Sequence, residues 1–69
     1  MKLSLREALA KMYTPEVAEN LEKIDLEEYR RGGREGLKSF LEINDTSLST
    51  TEIDLLLDLT AEQVENAHA

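Results

Sequence analysis

The stretch YRRGGREG, residues 29–36, contains all three glycines of a 69-residue chain and three of its eight basic side chains. Whether it is helix, hinge or ligand loop decides how many helices form and what they touch. A phosphate loop is excluded by pattern, because neither GxxxxGK[ST] nor GxGxxG after a strand is present. A hinge fits two adjacent glycines, which cost about 2 kcal/mol in a helix interior. Continuous helix is the other reading. Gly32 and Gly36 would then stack on one face, where small residues let a second helix approach closely. Arg30, Arg31 and Arg34 would pair with Glu27, Glu28 and Glu35 along that helix. Hinge and helix both stay open, and contact of Gly32 and Gly36 with another helix is the expectation.

Outward from this stretch, local start signals divide the chain. Ser4 with Glu7 has the spacing of a capping box, in which hydroxyl and carboxylate each satisfy an amide the helix leaves unpaired. Leu5, Leu9 and Met12 follow at helical spacing. Thr14-Pro15 places an N-cap before a proline whose missing N–H costs nothing at the first helical position; Val17, Leu21 and Ile24 line that helix. Asp25, with Glu27 and Glu28 favourable against a helix dipole, reads as a third start. Ser49 with Glu52 is another capping box, ahead of Ile53, Leu56 and Leu57. Residues 43–49, INDTSLS, read as a loop, since such side chains bond the local backbone and compete with helix. Thr60 with Gln63 repeats the capping spacing, so Asp58-Leu59-Thr60 reads as a turn into a short fifth helix. No segment alternates as a strand does. The expectation is an all-α single domain over 1–69, a small bundle of four to five short helices ending in a helix-turn-helix-like hairpin.

Charge separates the two halves. Residues 1–38 hold all eight Lys and Arg and eight acids, whereas residues 39–69 hold seven acids and no Lys or Arg. The net charge of −7 therefore lies entirely in the second half. Duplex binding needs cations that displace counterions from phosphate, and this half offers none. As a DNA reader the hairpin would present Glu62, Gln63, Glu65 and Asn66 to the groove, a poor set for base edges. That alternative, a helix-turn-helix regulator, needs Arg30, Arg31 and Arg34 beside the hairpin to neutralise its acids and contact phosphate.

Catalytic parts are scarce. There is no cysteine and a single histidine, His68, in the last two residues, so nucleophile–base pairs lack components. Glu27 and Glu28 diverge on a helix, and Asp54, Asp58 and Glu62 share a face without the oxygen-rich loop a divalent ion wants. No catalytic residue, cofactor or metal is expected. Absence of cysteine makes the cytosol the default compartment, and no apolar run approaches the roughly 20 residues of a membrane span. The opening MKLSLREALA lacks the pattern of a signal peptide.

A domain this small is marginal without idealised packing or a partner. Ile53 to Leu59 carries five apolar residues in seven, more than one stripe requires. Either that helix is wedged between two others or it offers a dimer or partner face. Gly32, Gly36, Ile53, Leu55, Leu56 and Leu59 are the interface candidates, in a homodimer or with a protein partner.

Residues 29–67 resemble the C-terminal tail of the recombination-promoting nuclease and putative-transposase family. YRRGGREGLKSF stands for its glycine-spaced tail, and LSTTEIDLLLDLTAEQVENA for its helical hairpin, with Ser49, Glu52, Ile53, Leu59, Thr60 and Val64 at matching positions. Asp58 stands where the family has its turn glycine, Gly33 is extra, and the nuclease motif is missing. The resemblance implies a short helical product that dimerises and restrains a nuclease partner. Composition and resemblance together describe an acidic protein-interaction module, antitoxin- or inhibitor-like, and not an enzyme.

Overall fold

The computed structural model describes residues 3–67, which form three helices: α1 (Leu5–Met12), α2 (Pro15–Asn44) and α3 (Thr50–Ala67). Among the described residues there is no strand, and each helix packs against the other two. The all-α expectation holds; the count of four to five helices does not. His68 lies outside the described residues.

Every helix begins at a cap written in the sequence. Ser4 Oγ accepts from the Glu7 N–H at 3.1 Å while a Glu7 carboxylate oxygen accepts from the Ser4 N–H at 3.0 Å. Thr14 Oγ1 accepts from the Val17 N–H at 3.4 Å, with Pro15 opening α2. The Ser49–Glu52 pair reproduces the reciprocal box at 3.1 and 2.8 Å. Because an N-cap contributes about 1 kcal/mol, Ser49→Ala is expected to lower stability by that amount. Urea unfolding should show a lower midpoint at unchanged slope.

Two expected starts are absent, for different reasons. Asp25 does not open a helix: it lies inside α2, where nothing between Pro15 and Gly32 breaks the backbone, and its side chain faces the core. Thr60 opens none either. Its Oγ1 donates to the Leu56 carbonyl at 2.6 Å, so the buried hydroxyl is satisfied within an unbroken α3. There is accordingly no turn at Asp58-Leu59-Thr60 and no helix-turn-helix hairpin. The loop is also shorter than 43–49, because α2 runs through Asn44. Asp45 then accepts from the Ser47 N–H at 3.0 Å, a side chain-closed turn that leads into α3.

The glycine stretch is a bend inside α2. Thirty helical residues in a straight line would reach about 45 Å, yet the longest dimension of the molecule is 33 Å. The break is at Gly33, with φ 70° and ψ −163°, a conformation open essentially to glycine alone. It sends the second arm of α2, residues 34–44, back onto the core. There Leu37 and Leu41 join Leu5, Ala8 and Leu9 of α1, Ala18 of the first arm, and Ile53, Leu56 and Leu57 of α3. Each fully buried leucine contributes about 1.5–3 kcal/mol relative to exposure.

Polar ties fasten the outside of this core. Glu22 of α2 accepts from Arg6 of α1 at 2.8 Å and from Gln63 of α3 at 3.2 Å, joining all three helices through one carboxylate. The Tyr13 hydroxyl, just past α1, donates to Asp45 at the end of α2.

Candidate functional site

The most chemically distinctive place in the molecule follows from the misread Asp25. On α2 the positions 18, 21, 25 and 29 fall along one helical stripe. Ala18, Leu21 and Tyr29 fill three of them with core-facing side chains. The fourth is Asp25, 2% exposed, with an Oδ2 that has no hydrogen-bond partner. Burial alone pushes its carboxyl up from 3.8 to about 6, because a charge removed from water without a partner is costly.

Asp25 lines a cavity of about 280 Å³ between α1, both arms of α2 and α3. The deeper wall is apolar, made by Leu9, Leu21, Leu41 and Leu56 around the aspartate. Ile24 and Phe40 form the more open side, and Tyr13, Asn44 and Asp45 add polar groups. The Asp45 carboxyl is lowered from its ordinary value, because Ser47 and then Tyr13 donate to it. Tyr13 is raised by burial first and by its bond to Asp45 second, so its phenol keeps its proton. The cavity thus has two carboxylates, no basic side chain, and walls that are mostly hydrocarbon. Among the described residues no group of three or more potential ligands could hold a metal ion.

The residues singled out from sequence are scattered relative to this cavity. Gly32 is open, with nothing near where a Cβ would be, while that of Gly36 would lie 3.8 Å from the Glu28 carbonyl oxygen. Gly36 therefore meets the first arm of its own helix across the bend, and Gly32 meets no other helix of the chain. Ile53 and Leu56 are internal, Leu59 is half-buried against the core, and Leu55 is 37% exposed. The wedged reading of α3 accounts for Ile53, Leu56, Leu57, Thr60 and Val64, one buried seam at helical spacing. Leu56 is shared, since it also lines the Asp25 cavity.

The arginines are dispersed too. Arg34 pairs with Asp58 of α3 at 2.9 Å and Arg31 with Glu28 at 3.2 Å, while Arg30 is exposed. Arg34 does reach the acidic helix, but as an exposed ion pair, a class worth about 1 kcal/mol or less. On the far side of α3 from its buried seam, Asp54, Asp58 and Glu65 lie on one exposed stripe.

Sequence reasoning passed over Asp25, Tyr13 and Asp45 as site residues. A signal for Asp25 was present: a carboxylate at a stripe position otherwise apolar. Tyr13 and Asp45 carried none, since 32 residues separate them and only folding brings them together.

No protein family, no curated protein and no solved structure matches this chain.

Proposed function

We propose that this chain is an acidic helical interaction module that binds a basic protein partner, such as a nucleic-acid enzyme, and restrains it. The observation that carries the reading is the acidic stripe of α3, where Asp54 and Glu65 are exposed and Asp58, also exposed, is paired with Arg34, on a half of the chain that has no Lys or Arg of its own. Such a surface repels phosphate and is complementary to a basic nucleic-acid channel. Leu55, exposed beside that stripe, supplies apolar contact for the partner or for a second copy. The duplex-binding alternative is disfavoured: α3 runs straight through the would-be turn, and of the three arginines it needs beside that segment only Arg34 reaches an acid of α3.

The test is titration of the chain against purified basic nucleases, with duplex DNA as a parallel arm. Binding to a nuclease that weakens as salt rises, and that falls on Asp54→Lys with Glu65→Lys, is the expected result. A gel shift of duplex DNA at low salt, or a nuclease affinity indifferent to both substitutions, would overturn it. Light scattering gives the oligomeric state against the 7.8 kDa monomer; a self-associating form is expected at about twice that mass.

A further inference from the structure

We propose that the Asp25 cavity is a binding site for an organic monocation, an ammonium or guanidinium group carried on a short alkyl stem. Three features converge on that class. Asp25 is 2% exposed, and its Oδ2 has no partner within the protein. An unpaired buried carboxylate destabilises the fold, so a cation that enters supplies the missing counter-charge. The cavity is large enough, at about 280 Å³, to take an alkyl group as well as its charged head. Its lining suits such a ligand: Leu21, Ile24 and Phe40, the less buried apolar residues, lie along a hydrocarbon stem, and the head reaches Asp25 at the floor once a side-chain shift uncovers the 2%-exposed carboxylate.

The other lining groups narrow the class further. Asp45, held ionised by Ser47 and Tyr13, adds a second negative charge, and Tyr13 and Phe40 contribute aromatic rings, which tolerate cations at their faces. Anions are excluded by two carboxylates with no base among the lining residues. A bare divalent ion wants six or more oxygens, where leucines stand instead. The remaining chemistry is a cation with an apolar body. Such a group comes either as a free alkylamine or as the side chain of a lysine or arginine on another protein. The site is separate from the α3 stripe, and the inference stands whether or not that stripe takes a basic partner.

The experiment follows backbone amide signals of the full chain by two-dimensional NMR at about pH 8, where Asp25 is ionised. Three probes are titrated: n-butylammonium, N-acetyl-lysine methylamide, and uncharged 1-butanol. Saturable shifts centred on Leu9, Ile24, Asp25 and Leu41 are expected for a cation and not for 1-butanol. Asp25→Asn, which keeps the shape of the side chain, is expected to weaken the cation by about tenfold or more. Response to n-butylammonium alone supports the site as one for free amines. Response to the lysine derivative as well supports a protein side chain as occupant. Equal binding of 1-butanol, undiminished cation binding by the folded Asp25→Asn chain, or no shift with either cation overturns the proposal.

Discussion

Asp25→Asn is expected to stabilise the protein by about 2–3 kcal/mol at about pH 8, with the gain fading as pH falls from about 6 toward 4. The reason is the gap between the unfolded carboxyl, near 3.8, and the buried one, near 6. Between those values the folded chain holds a proton that the unfolded chain has released. Raising pH through this window therefore removes stability from the native protein, and above it the loss is complete. Asparagine resembles the protonated acid in shape and polarity and carries no charge at any pH, so it escapes the loss.

Neighbouring groups do not blur this window. The Tyr13 phenol keeps its proton throughout, and Asp45 stays ionised through most of the window. Glu7 and Asp45, both held low by hydrogen bonds, act with the opposite sign, their stabilisation being lost as pH falls below the ordinary carboxylate range. They are common to both chains and cancel in the difference. Paired urea titrations across pH, read by circular dichroism, give that difference directly. A constant difference from about pH 4 to 8 would mean that Asp25 is not the buried, unpaired acid described above.

Adjacent glycines should respond in opposite directions. Gly33→Ala is expected to cost about 1–3 kcal/mol, because φ 70° with ψ −163° is strained for any residue with a Cβ. Gly32→Ala is expected to gain about 0.5–1 kcal/mol, since its backbone is helical and alanine narrows the unfolded ensemble. Space is not the issue at either site: an added Cβ meets nothing within 4 Å at both. The contrast therefore isolates backbone conformation from packing. Thermal or urea unfolding of the two variants gives the sign of each. Two stabilised variants would show a straight α2, and two destabilised ones a bend spread over both residues.

How far the fold was readable follows from the range of each interaction. Ser4 with Glu7, Thr14 with Pro15, and Ser49 with Glu52 mark all three helix starts, because a cap is a contract among residues at most four apart. Thr60 with Gln63 has the same spacing and starts nothing. Its hydroxyl had a second partner available, the Leu56 carbonyl one turn back, and burial of the seam favoured that choice. Asp25 failed in the same way. Its propensity suits a helix start, but an uninterrupted stretch from Pro15 to Gly32 carries it through the middle of α2. The candidate site was less legible still, since it depends on side chains from three helices.

By itself, then, the sequence determined the all-helical class and the confinement of net charge to the second half; it marked the three true helix starts among five candidates, and left a bend within residues 29–36 as one of two open readings. These follow from local hydrogen bonding, backbone propensity and composition, none of which needs a distant neighbour. Only the tertiary structure decided that the bend is at Gly33, that α3 is unbroken, and that Asp25 sits unpaired against Leu9, Leu41 and Leu56. Each of those outcomes is set by which surfaces leave water together, and a stripe of residues on one helix cannot specify what will cover it.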